Sequence, residues 1–288
     1  MRKTVTTVAL ASALVLAGGT AAQAITGNFT KDTEHDYVGL AVFFDADGNA
    51  THRCSGSLLT DRVFLTAGHC VTLDDEGTVA TSARVYFEQD VQALGSVYPY
   101  SGGVVASEGN VYDYGFRGLD EIPESRDLGV LVLDESVEDT YDIGEYASLA
   151  TAGSLDSYTA AHQGNTATTT ISGYGVQESN GSRTKTVAYR ERLTAQSFII
   201  GLNGTNAGGY NVKLSTNPGN GRGGTCFGDS GGPVLVGDTV VAVNSFVMNG
   251  ACAGTGFGYR TDQQAVIDFV LGIAAQDGED DEIDVVTL

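Results

Sequence analysis

Cys226-Phe227-Gly228-Asp229-Ser230-Gly231-Gly232-Pro233 decides how this 288-residue chain is read. A serine hydroxyl is a poor nucleophile until a base takes its proton and donors stabilise the oxyanion that follows. Here the serine stands between an aspartate and two glycines, with another glycine two positions earlier. Glycines permit a sharp turn in which consecutive N–H groups converge on one point. The amides of Gly228 and Ser230 are placed to form such an oxyanion hole. A glycine-rich turn alone also serves as an ordinary tight loop, so the reading needs a base.

Thr66-Ala67-Gly68-His69-Cys70, after the apolar run Val63-Phe64-Leu65, supplies one. Imidazole, with an unperturbed pKa of about 6.5, is a usable general base near neutral pH. His35, His52 and His162 lie in polar stretches without supporting pattern and read as surface residues. His69 differs because Cys70 can anchor it. Cys54 stands sixteen residues before Cys70, across the hairpin-like Ser55-Gly56-Ser57-Leu58-Leu59. A disulfide closing a loop of that size is worth roughly 3 kcal/mol. A buried carboxylate should fix the imidazole tautomer. Asp127 stands directly before the strand-like run Leu128 to Leu133, whereas Asp134 ends that run and reads as a turn residue.

These three segments resemble the nucleophile, histidine and aspartate motifs of the chymotrypsin/trypsin-like serine proteases. The order His69, Asp127, Ser230 is that family's order, not that of subtilisin or the α/β-hydrolases. Gly129 replaces a usual Ala, and Ser172-Gly173-Tyr174-Gly175 carries Tyr for Trp in the turn that starts the second barrel. The resemblance covers nearly all of residues 25–275 and implies an all-β fold of two antiparallel six-stranded barrels. It pairs Cys54 with Cys70 and Cys226 with Cys252. It makes Ile25-Thr26-Gly27-Asn28 the mature start, with the Ile25 ammonium paired to Asp229. It puts the floor of the primary pocket at Gly224 and Thr225 and its wall at Asn244, Ser245, Phe246 and Val247. The function it implies is a serine endopeptidase; the alternatives are a catalytically inactive binding homologue of the same fold and an esterase.

The rest of the chain fits that frame. Met1-Arg2-Lys3, the apolar Val8 to Ala17 and Ala22-Gln23-Ala24 read as a secretory signal over residues 1–24. Residues 25–150 read as the first barrel, 151–275 as the second barrel with a helix from Asp262 to Ala274, and 276–288 as an acidic disordered tail. Val266, Phe269, Val270 and Ile273 make the apolar stripe of that helix, and Thr261 or Asp262 its cap. Abundant glycine, 39 residues, and only four prolines suit many short strands joined by tight turns. Four cysteines in an exported chain suit two disulfides. A net charge of −21 argues against nucleic acid and against anionic membranes as partners. Asp45 to Asn49 reads as a hairpin turn, and the acids at Asp74, Asp75, Glu76 and Glu88 lack convincing ligand spacing for calcium. We therefore expect no metal and no cofactor, polypeptide substrates and protein inhibitors as partners, and a monomer outside the cell.

Overall fold

In this computed structural model, residues 25–156, 168–177 and 189–288 are described; His162 lies outside them. Val38–Phe44 is buried along its whole length, as a continuous apolar run on a central strand must be. It pairs with Ala50–Leu58 through the predicted turn, where Asp45 accepts the amides of Asp47 and Asn49. Seven antiparallel strands form this first sheet. In spatial order they are Val104–Ala106, Ser82–Tyr86, Val38–Phe44, Ala50–Leu58, Val63–Thr66, Gly129–Val132 and Val111–Asp113.

The second sheet closes on itself. Pro233–Val236, Thr168–Gly173, Leu193–Gly201, Asn211–Ser215, Thr255–Arg260 and Thr239–Val247 follow one another, and the last pairs with the first. These six strands make the ring that the sequence implies. Three short strands, Thr30–Lys31, Ser148–Ala150 and Val285–Val286, extend the sheet to nine. Thr26–Gly27 separately pairs with Gly223–Gly224.

The expected division at residue 150 therefore needs correction. Residues 26–31 and 148–150 precede it in sequence yet hydrogen-bond to second-barrel elements. Sequence order does not reveal that an incoming segment crosses over to the distant sheet.

The expectation of a disordered tail is also corrected. Residues 276–288 contain a short 3-10 turn, Asp280–Glu282, and a strand, Val285–Val286, parallel to Ser148–Ala150. The amides of Leu149 and Thr151 donate to the carbonyls of Asp284 and Val286, both at 2.8 Å. Ile283 is buried, and Arg62 of the first barrel faces Asp277 and Glu279 at 3.8 Å. One buried isoleucine and a valine pair suffice to dock a segment whose acids remain outside.

The last helix runs Gln264–Ala274, with Val266, Ile267, Val270 and Ile273 buried. It packs on first-barrel residues, Phe269 lying 5.0 Å from the Tyr114 ring. Neither Thr261 nor Asp262 caps it. Thr261 donates to the Val240 carbonyl, and Asp262 holds Arg260 and the Leu155 amide.

Candidate active site

His69 sits in the one-turn helix Gly68–Val71, which continues from strand Val63–Thr66. Gly68 is required there: a Cβ would lie 2.8 Å from the Phe116 Cβ and 3.0 Å from the Leu128 amide nitrogen. Gly129 has a similar reason, since a Cβ would meet Val71 Cγ1 at 2.7 Å. The glycine that departs from the family pattern thus makes room for a valine of the histidine helix. Cys70 is bonded to Cys54, which fixes this helix to the strand Ala50–Leu58.

Asp127 is fully buried and faces His69. Its Oδ2 lies 2.9 Å from Nδ1, while Oδ1 lies 3.0 Å from Nδ1 and accepts the His69 amide at 2.8 Å. Ser245, in the second barrel, donates its hydroxyl to Asp127 Oδ2. Burial raises the Asp127 pKa, but the His69 charge and these hydrogen bonds outweigh it and hold the carboxyl below its ordinary value. Burial lowers the His69 pKa, and the Asp127 charge and bond outweigh it in turn, leaving the imidazole above 6.5. Such opposed shifts favour an Asp carboxylate bonded to N–H at Nδ1, which leaves Nε2 as the basic atom.

Ser230 lies across the seam. The loop around it turns through Gly228 at φ +95° and Gly231 at φ +76°, backbone that glycine adopts without strain. At Gly231 a Cβ would come within 2.5 Å of the Ser55 carbonyl oxygen, so the loop is seated directly on the first barrel. The amides of Asp229, Gly231 and Gly232 donate to Cys226, Asn244 and Asp229 carbonyls at 2.7–3.1 Å. Among the described residues the amides of Gly228 and Ser230 have no acceptor. They are the two that the sequence singles out. Cys226 is bonded to Cys252, so both implied disulfides are present.

His69 and Ser230 line one cleft of about 650 Å³ between the barrels. Thr225, Phe227, Asn244, Ser245, Phe246 and Val247 form one wall, and Thr72 to Asp75 with Phe116 to Asp120 the other. Gly224 is buried and paired to Thr26. A Cβ at Gly224 would lie 2.3 Å from the Thr216 Cβ, so Thr216 already fills the space below it. Phe246 stacks on Phe257 at 4.5 Å, its ring thereby occupied. Asn244, the first residue of the wall expected from the sequence, lines the cleft. Among the described residues neither polar atom of its buried amide has a partner, nor does the buried Thr216 Oγ1.

Asp229 is fully buried. It accepts the Cys226 amide at Oδ2 and the Gly175 amide at Oδ1, each at 2.9 Å. No cation pairs with it among the described residues, and burial pushes its pKa up to about 7. Ile25 is buried among Ala150, Leu155 and Ile171, with φ +41°.

A second histidine, aspartate and serine trio deserves exclusion. His35 Nδ1 lies 2.9 Å from Asp32, and Ser172 Oγ donates to Asp32 at 2.5 Å. Ser172 is fully buried and bonds the carboxylate, not the imidazole, so no substrate carbonyl can reach it. The surface reading of His35 and His52 is thus corrected. His35 is held by Asp32, while His52 stacks on Phe43 and bonds the Cys70 carbonyl at 2.7 Å. Polar neighbours in sequence hid both. Cys54, His69 and Cys70 lie close enough to suggest metal ligands, but the disulfide removes both thiolates.

The fold and site define a two-barrel, chymotrypsin-like protein with an Asp-His pair facing a serine loop. The trypsin family model matches residues 25–270, and the chain belongs to that family. Trypsin beta of Drosophila erecta is 28% identical over 204 residues, 69% of this chain and 70% of the relative. Trypsin alpha of Drosophila melanogaster is 28% identical over 200 residues, 69% of each. Among solved structures, HL collagenase superposes with a TM-score of 0.62 at 20% identity, covering 88% of this chain and 97% of its own. Human heparin binding protein superposes at 0.59 and 18% identity, covering 88% and 98%. At such identities the structural likeness speaks to fold.

Proposed function

We propose that the protein is a secreted serine endopeptidase that works through an acyl-enzyme. The observation that carries this is the Asp127–His69 pair lining one cleft with Ser230, where among the described residues the Gly228 and Ser230 amides have no acceptor. Ser230 Oγ attacks the scissile carbonyl as His69 Nε2 takes its proton, and Asp127 stabilises the imidazolium. The two free amides receive the tetrahedral oxyanion. His69 then returns the proton to the leaving amine, and water hydrolyses the ester on Ser230 with His69 again as base.

Residues 1–24 support export, and two disulfides suit an oxidising compartment. Cleavage after Ala24 would free the Ile25 ammonium for Asp229, whose buried carboxyl otherwise lacks a cation. The backbone of Ser245 to Val247 would pair with an extended substrate as an added strand. Polypeptides are the substrates, protein inhibitors share the same cleft, and the enzyme acts as a monomer without cofactor.

A second reading, an inactive binding homologue, draws on the structural likeness to heparin binding protein. A net charge of −21 opposes a polyanionic ligand, and the triad residues and loop glycines are all retained. Fluorophosphonate labelling of Ser230 decides between enzyme and binder. Turnover of a peptide amide then decides between peptidase and esterase. Absence of label on the mature protein would refute the proposal.

A further inference from the structure

Cys54 and Ser55 are neighbours on the strand Ala50–Leu58, and each fastens a different half of the cleft. Cys54 is bonded to Cys70, the residue after His69. Ser55 reaches the second barrel. Its amide donates to the Ser230 carbonyl and its hydroxyl to the Gly228 carbonyl, both at 2.8 Å. The same hydroxyl accepts the Tyr174 amide at 2.8 Å, beside the Gly175 amide that holds Asp229. Ser55 is fully buried, so water cannot replace these bonds if the hydroxyl is lost.

The Gly228 carbonyl belongs to the peptide that leads to Asp229. Gly228 itself has a φ that only glycine adopts freely, so local sequence does not hold this turn rigidly. The first barrel does. We propose that Ser55 is a positioning residue that keeps the Gly228 and Ser230 amides in register with His69. It acts through a strand already locked to His69 by the adjacent disulfide. This rests on the reading of Ser230 as the nucleophile.

Ser55→Ala keeps the backbone amide and removes only the hydroxyl. Its kcat on a peptide amide should fall about ten- to hundred-fold with KM within about three-fold, because the loss falls on the transition state. Affinity for a peptide boronic acid, which forms a tetrahedral adduct on Ser230, should fall in parallel. Ser55→Thr retains a hydroxyl and should recover kcat to within about five-fold of wild type. Ser57→Ala is the control: Ser57 is equally buried on the same strand, its hydroxyl has no partner, and kcat should not change. Should Ser55→Ala fail to fold, Ser55→Gly removes the same hydroxyl together with its Cβ. A folded variant without the hydroxyl but with wild-type kcat overturns the proposal, as does an equal loss in Ser57→Ala. Wild-type protein that takes no fluorophosphonate overturns the peptidase reading with it; a labelled wild type beside an unchanged Ser55→Ala overturns the tether alone.

Discussion

The Ser245 hydroxyl donates to Asp127 Oδ2, so the second barrel secures the carboxylate that the first barrel carries. The His69 amide and Nδ1 take up the remaining acceptor directions. A carboxylate held this way is rigid and stays charged. It raises the pKa of His69 above 6.5 against the opposing effect of burial.

The pH dependence follows from that direction. With neutral His69 as the proposed base, kcat/KM should fall as pH drops through a midpoint above 6.5. The stability sign is opposite. A raised imidazole pKa contributes stability below the unfolded value, and this is lost as pH rises through the folded value. A pH–rate profile on a peptide substrate measures the first effect, and a midpoint below pH 6 would contradict the Asp127 pairing. Asp127→Asn should reduce kcat by about 10⁴, because an amide cannot stabilise the imidazolium or hold the required tautomer.

Ser230→Ala should reduce kcat by a factor on the order of 10⁶ and leave the fold intact. Ser230 is partly exposed at the cleft and its hydroxyl has no hydrogen bond among the described residues, so its removal strands no partner there. Substantial peptidase activity in this variant, matched for thermal stability, would remove Ser230 as the nucleophile.

The chemistry was more legible in the sequence than its support. His69, Asp127 and Ser230 stand in contiguous motifs whose glycines answer steric demands next door, so a linear reading reaches them. Ser55 bonds Gly228 and Tyr174, and Asp32 bonds Ser172, and each of these partners lies more than a hundred residues away in sequence. The strand Ala50–Leu58 escaped a full reading because Ser55, Gly56 and Ser57 occupy buried positions, leaving no clean alternation. The tail was misjudged because acidic composition outweighed one isoleucine and two valines.

Asp229 distinguishes precursor from mature chain. With residues upstream of Ile25 still attached there is no ammonium, and burial holds the carboxyl at about 7. Its folded pKa then exceeds the unfolded value near 4, so the folded state binds the extra proton between these values. Stability of the precursor should therefore fall as pH rises from about 4 to 7. Pairing with a free Ile25 ammonium would pull the pKa down and reverse the dependence, with stability lost as pH falls below about 4. Melting temperatures of both forms across this range test the scheme, together with N-terminal sequencing of the active protein. The same pH slope in both, or full activity in a chain beginning upstream of Ile25, would sink it.

Ile283 anchors the C-terminal segment to the barrels. Ile283→Ala removes buried apolar volume at the periphery and should cost about 2 kcal/mol, the low end for such truncations. Melting temperature and proteolytic release of the last residues report it, while kcat should be unchanged because the segment does not line the cleft. Unaltered stability would mean that the docked tail is not held by this contact.

The primary pocket should prefer small or medium uncharged side chains before the cut. Gly224 supplies no acid for Arg or Lys, and Thr216 fills the volume that a side chain there would need. Gly224→Asp alone should therefore lower stability and activity without creating selectivity for basic residues, since its Cβ would overlap Thr216 at 2.3 Å. Val247 and Thr225 line the cleft, and Thr225 contributes a hydroxyl without charge. Asn244 adds a finer expectation. A buried amide without partners costs about 1–3 kcal/mol, an expense relieved when a bound side chain supplies the missing bonds. Residues that both donate and accept, such as Asn or Gln, should then outcompete apolar ones of equal size by about ten-fold. Asn244→Val removes the amide at similar volume and should erase that difference while leaving cleavage after Ala unchanged. A cleavage profile on a mixed peptide library measures both proteins. Strong wild-type selectivity for Arg and Lys would show that an acid from another loop, such as Asp74 or Asp120, sets the pocket charge instead.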